Sequence, residues 1–98
     1  MRLNLWYLYH PLLKFLFGIV IELPNGATVI DFAYKIHTDI GNHLYKAYIN
    51  GKEVKLTHKL SNKDRIMLLQ KDTVKPNITW LNHVVTSSAK RKIKDALK

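Results

Sequence analysis

The residue pattern predicts a small α+β domain: a sheet of mostly antiparallel strands with one helix packed on one face, followed by a short C-terminal helical segment. Three observations carry that prediction. Short apolar or alternating runs, bounded by turn residues, recur along residues 3–70. One stretch, from Val29 to Ile40, switches to helical spacing. Beyond Pro76 the period becomes helical again. The length of 98 residues leaves room for one small domain. With 47% apolar and 23% charged residues, a modest core is expected.

Leu3–Tyr9, rich in aromatic and branched residues, reads as a strand that Pro11 stops. Gly18–Leu23 reads as a second strand, with Ile19, Ile21 and Leu23 on one face. Pro24-Asn25-Gly26 is turn chemistry, because Pro fixes φ and Asn-Gly tolerates positive φ. Thr28-x-x-Asp31 is a capping-box start to a helix. Val29, Phe32, Ala33, Ile36 and Ile40 form its apolar face, and Gly41 is placed as its left-handed C-terminal cap.

Leu44–Ile49 alternates. Strict alternation puts Tyr45, Ala47 and Ile49 on one face and Leu44, Lys46 and Tyr48 on the other. Asn50-Gly51 is a hairpin signal, with Glu53–Leu56 as the returning strand. Leu60–Asp64 is a turn, and Arg65–Gln70 a last strand with Ile66 and Leu68 inward. Lys71–Pro76 is a charged linker, and Thr79–Val84 a short turn carrying Trp80 and Leu81. Thr86, Ser87 or Ser88 can cap a helix through Leu97, with a narrow stripe of Ala89, Ile93, Ala96 and Leu97.

The first 21 residues are apolar enough to need a targeting check. Lys14 interrupts them, and the longest uncharged run, Leu3–Leu13, is eleven residues. A span needs about 20. Arg2 imitates a signal peptide, but no small-residue cleavage site follows at the right distance. A cytoplasmic chain without stable membrane insertion is expected.

Sixteen basic residues against seven acids leave a formal charge of +9, which favours a polyanionic partner. Residues 51–98 hold 12 of those bases and four of the acids, a net of +8. The absence of Cys excludes disulfides, thiolate metal sites and Cys nucleophiles. The five His residues show no helical pair spacing, so no metal site is expected. Scattered glycines make no phosphate loop, and no Ser has a base with an orienting acid. No catalytic constellation and no cofactor site emerge. What remains is basic residues interleaved with aromatics. Lys46 and Tyr48 share a face, and His43, Lys52, Lys55 and Lys59 lie nearby in sequence. Ammonium groups meet phosphates, and exposed rings stack on unpaired bases. Lys90, Arg91 and Lys94 form a second basic cluster, where Arg91 and Asp95 are spaced to pair along a helix.

Ile21-Glu22-Leu23-Pro24-Asn25-Gly26-Ala27-Thr28 followed by Asp31-Phe32-Ala33-Tyr34-Lys35-Ile36-His37-Thr38-Asp39 resembles the TGS domain of long RelA/SpoT-type stringent-response proteins, the (p)ppGpp synthetase/hydrolase family. Ala47–Lys52 is similar to that family's Asn-Gly hairpin, and Lys59–Asp64 to its following turn. Trp80-Leu81-Asn82, Thr86-Ser87 and Lys92-Ile93 are similar to the segment after TGS. The resemblance covers about residues 18–98. It implies a β-grasp, ubiquitin-like fold. It also implies contact with the 3′ CCA end of uncharged tRNA on the ribosome, or, as in some relatives, with a protein such as acyl carrier protein. Asn42 and His43 occupy the family's loop after the helix, with Asn42 where His often stands and His43 where Arg often stands.

Three departures accompany the resemblance. Leu12–Phe17 separates Tyr9-His10-Pro11 from Gly18, so the first hairpin is altered or its start is unrelated sequence. Lys63 replaces a turn Gly. The catalytic domains that precede TGS in the family have no counterpart here. The expected division is residues 1–72 as the TGS β-grasp domain, with 1–17 an atypical N-terminal strand or extension, and 73–98 as linker and basic C-terminal helix. The expected function is a non-catalytic regulatory RNA-binding module. Its RNA-binding candidates are Asn42, His43, Lys46, Tyr48, Lys52, Lys90, Arg91 and Lys94. Two other readings stay open: a protein-interaction module for acyl carrier protein or for synthetase domains in trans, and a non-functional remnant.

Overall fold

The computed structural model describes residues 1–11 and 13–98; Leu12, at the head of the inserted stretch, lies outside the described residues. Six strands form one mixed sheet: β1 (Arg2–His10), β2 (Lys14–Leu16), β3 (Ile19–Glu22), β4 (Leu44–Ile49), β5 (Lys52–Val54) and β6 (Arg65–Gln70). Their order is β2-β1-β6-β4-β5, with β3 also on β1. β1 and β6 run parallel and the remaining pairs antiparallel. Helices α1 (Val29–Ile36), α2 (Thr38–Asn42) and α3 (Ser87–Ala96) and a 3-10 turn (Ile78–Asn82) complete the β-grasp arrangement.

The first hairpin is intact, which settles the question raised by the inserted stretch. Arg2–Leu5 pairs with Glu22–Ile19 and Leu8–His10 with Leu16–Lys14, all in one register. The insertion therefore lengthens the hairpin and adds the strand β2, which sequence alternation did not reveal. Ile19 and Val20 are both exposed on this edge, while Leu23 is buried; Ile19 and Leu23, expected on one face, differ in burial.

Asp31 starts α1 as expected. Its carboxylate accepts from the Thr28 N–H at 2.9 Å, satisfying a donor that the first helical turn leaves open. The helix stops earlier than its apolar spacing suggests. His37 is extended (φ −167°, ψ 143°), and its Nδ1 accepts from the Asp39 N–H at 3.0 Å, capping the separate helix α2. Gly41 is consequently a helical residue of α2 and not a left-handed cap. Its missing side chain matters for another reason: a Cβ there would overlap the Tyr34 ring.

Asn50 (φ 52°) and Gly51 (φ 88°) make the expected tight hairpin, but the returning strand is Lys52–Val54, earlier than Glu53–Leu56. A register shift between Leu44 and Lys46 corrects the face assignment of β4. Tyr45 is the extra residue, so Leu44, Ala47 and Ile49 are buried while Tyr45 points outward.

The core lies between the sheet and the helices. Leu3, Leu5, Leu8, Ala47, Ile66 and Leu68 come from the sheet, and Val29, Phe32, Ala33 and Ile40 from α1 and α2. The C-terminal segment continues it. Trp80, Val84, Ala89 and Ile93 belong to the same buried cluster, and α3 packs on α1. Burying Ile93 alone contributes about 2 kcal/mol. Ala96 and Leu97 are exposed, so the α3 stripe is shorter than its spacing predicts. Asp95 pairs with Lys98 at 3.4 Å instead of Arg91.

Candidate nucleic-acid interface

Helices cover one face of the sheet and leave the other open. On that outer face β4 presents Lys46 and Tyr48, which its register sets opposite Leu69 and Met67 of β6. β1 adds Tyr7 opposite Met67 and Asn4 opposite Arg65. A second register shift, between Leu5 and Tyr7, leaves Trp6 without a β6 partner; next to the inward Leu5 it faces outward, 52% exposed. Trp6, Tyr48, Asn50, Gly51, Arg65 and Met67 line a cavity of about 420 Å³. The Arg65 guanidinium lies over the Trp6 ring, 4.8 Å from its centre.

The corner where α2 enters β4 holds the second group. The Asn42 side-chain oxygen accepts from the Tyr34 hydroxyl at 2.8 Å. Burial pushes the Tyr34 phenol well above its ordinary range, so this donor keeps its proton. The Asn42 side-chain oxygen is therefore committed to Tyr34. His43 Nδ1 lies 3.0 Å from the Asp39 backbone oxygen and 3.2 Å from its Oδ1. Tyr45, exposed by the β4 bulge, has two ammonium groups over its ring: Lys46 Nζ at 5.5 Å and Lys71 Nζ at 5.0 Å. The Lys71 N–H donates to the His43 carbonyl at 2.9 Å, which ties the end of β6 to this corner.

Asp39 sits at the centre of a histidine cluster. Its Oδ2 meets His10 Nε2 at 2.5 Å, and the His10 ring centre is 6.1 Å from that of His37. The His10 hydrogen bond holds the Asp39 carboxyl below its usual value, opposed by burial and helped by the nearby charges of His43, His10 and His37. Among the described residues no set of three or more His, Cys, Asp or Glu is arranged to hold a metal ion.

The eight sequence-selected residues thus fall into three places. Asn42, His43 and Lys46 share the α2–β4 corner, and Tyr48 lies one outward position along β4 from Lys46, about 7 Å on. Lys52 pairs with Ile49, so its register position belongs to the helix-covered face, whereas Glu53 is the β5 residue beside Tyr48. Lys90, Arg91 and Lys94 are exposed on α3, on the helix side of the sheet. Sequence pattern alone does not single out Tyr45, Lys71, Trp6 or Arg65. The β4 bulge hides Tyr45 from an alternation count, Trp6 reads only as one residue of an apolar strand, and Lys71 reads as linker charge. Arg65 gains its significance only from the ring beneath it.

Among the described residues no helix is long and apolar enough to cross a membrane.

The TGS domain family matches residues 17–70. Over 81 residues the chain is 42% identical to a guanosine-3′,5′-bis(diphosphate) 3′-pyrophosphohydrolase of Vibrio cholerae, covering 83% of this chain and 12% of that protein. Over the same length it is 40% identical to the bifunctional (p)ppGpp synthase/hydrolase SpoT of Escherichia coli, again 83% and 12%. A pyrophosphohydrolase of Borreliella burgdorferi is 45% identical over 80 residues, 82% of this chain and 12% of its own. The chain thus spans about one eighth of the length of these curated relatives. Those matches, with the β-grasp sheet and the match over residues 17–70, show that the chain belongs to the TGS domain family, in its RelA/SpoT-type branch.

Proposed function

We propose that this TGS domain is a non-catalytic regulatory module that contacts the single-stranded 3′ CCA end of uncharged tRNA in the cytoplasm, in the setting of the ribosome. The observation that carries this reading is the α2–β4 corner. There two ammonium groups flank the exposed Tyr45 ring, beside His43 and the Asn42 amide. Cations attract phosphates, a ring stacks on a base, and an amide or imidazole can meet a base edge. In this reading Asn42, His43 and Lys46 make the base-edge and phosphate contacts, and Tyr48, next along β4, offers a ring for stacking. Lys52, Lys90, Arg91 and Lys94 add long-range attraction within the +9 charge. Synthesis and hydrolysis of (p)ppGpp belong, in this reading, to regions of the relatives outside the matched segment.

Substitution separates the two roles. Changing Lys46 and Lys71 to Ala is expected to weaken binding of deacylated tRNA and to flatten its salt dependence by about two phosphate contacts. Lys52→Ala is expected to have a smaller effect. Unchanged affinity in the double variant would reject the corner as the site.

A second reading has its own support. Phe15 (57% exposed), Phe17 (67%), Ile19 and Val20 form an apolar strip along the β2–β3 edge. That strip favours a protein partner, such as acyl carrier protein or synthetase domains in trans. A stoichiometric complex that survives nuclease and is lost on Phe17→Ser would establish it.

A further inference from the structure

We infer that the outer-face cavity between Trp6 and Tyr48 is a stacking subsite for one unpaired nucleotide of a bound RNA. This rests on the RNA-binding reading above and names a second place where the strand is held. A half-exposed Trp on a strand of a small domain needs an explanation, because its ring is normally spent on the core. Here Trp6 follows the inward Leu5 on β1, points away from the core and lies beside Arg65. Tyr48 and Met67, opposite each other in register, add further apolar surface. The cavity, about 420 Å³, is within the size range of small-ligand sites and larger than a base requires.

The chemistry fits a nucleotide better than an apolar side chain. The guanidinium over the Trp6 ring puts a cation at an otherwise apolar cavity, and a guanidinium plane both stacks on bases and forks onto phosphate. The Asn50 side chain in the lining is held in place. Asn50 Nδ2 donates to Asp64 at 3.2 Å, and Asn50 Oδ1 accepts from the Arg65 N–H at 3.1 Å. Stacking on a ring face reads no base edge, so the subsite is sequence-tolerant, as stacking sites are. The location also fits. Lys46 of the α2–β4 corner and Tyr48 of the cavity are alternate residues on one face of β4, so one strand of RNA can reach both. Glu53 is placed beside Tyr48 on the same face, and Glu53→Gln is expected to strengthen RNA binding modestly.

Trp6 reports on its own occupancy, since Trp80, the second of the two tryptophans, is buried. The full chain is titrated with hexa-adenylate RNA and, separately, with polyphosphate of matched charge. Expected is saturable quenching of Trp6 emission by the RNA and none by polyphosphate. Trp6→Ala is expected to weaken the RNA complex about tenfold and leave polyphosphate binding unchanged, while Trp6→Phe restores most of the affinity. If hexa-adenylate binds but Trp6→Ala changes its affinity less than twofold, the subsite is refuted and the RNA reading stands. Binding of deacylated tRNA without any binding of hexa-adenylate has the same meaning. If neither RNA binds, both readings fall. If Trp6→Ala spares RNA but dissolves a stoichiometric protein complex, the face is a protein surface and the subsite is refuted.

Discussion

The Asp31 carboxylate accepts both the backbone N–H and the hydroxyl of Thr86, at 3.0 and 2.9 Å, across 55 residues of chain. The same carboxylate accepts from Thr28 at the start of α1 and from the Val85 N–H. Thr86 in turn caps α3, its hydroxyl accepting from the Ala89 N–H at 3.2 Å. One buried acid therefore serves two helix N-termini. This gives a physical reason for the Asp31-Phe32-Ala33 and Thr86-Ser87 motifs to occur in the same chain: each supplies half of one junction.

Replacing Asp31 tests that junction. Asp31→Ala leaves the buried Thr28 N–H and the part-buried Val85 and Thr86 donors without this acceptor, and hydrogen bonds to a charged group contribute about 1.5–3 kcal/mol each. A destabilisation of about 3 kcal/mol or more is expected in urea unfolding, and Thr86→Ala is expected to cost about 1 kcal/mol. In a double variant the two losses should fall well short of additive, because both act on one contact.

Gly41→Ala tests the Tyr34 packing. The added methyl would enter the space of the Tyr34 ring, so the ring or α2 must move. A loss of about 1–3 kcal/mol is expected, despite the higher helix propensity of Ala. A gain in stability would show that α2 is free to shift and that the glycine is not required.

Acid stability should depend on Asp39. Its carboxyl titrates below the ordinary 3.8, chiefly because His10 hydrogen-bonds to it. A lowered folded-state value means the stabilisation is present above about pH 4 and lost as pH falls through the folded value. Asp39→Asn should therefore cost stability near neutrality and flatten the acid limb of a stability–pH profile. Parallel profiles for the two proteins would remove Asp39 from the account.

Much of this fold is legible in residue order because its signals are local. Thr28-x-x-Asp31 starts a helix, Asn50-Gly51 turns a hairpin, and Thr86 caps α3, each through atoms within a few residues. Misreadings occur where a distant partner decides. Tyr45 faces outward because one residue is inserted against β6, and alternation counted along a single strand cannot register a bulge. Gly41 looks like a cap in sequence, and only the Tyr34 ring against it explains the missing side chain. The candidate site is less legible for the same reason. Asn42, His43 and Lys46 are near in sequence and are found together. Lys71 reaches them from the end of β6, and Lys52 is carried to the other face by its pairing with Ile49.

The central claim is recognition of a tRNA 3′ end. It is tested most directly by titrating the protein with deacylated tRNA and with the same tRNA trimmed of its CCA end, at two salt concentrations. The account predicts that trimming weakens binding and that the difference persists at the higher salt. Equal binding of the two tRNAs, disappearing together as salt rises, would contradict it and leave only a basic surface drawn to phosphate.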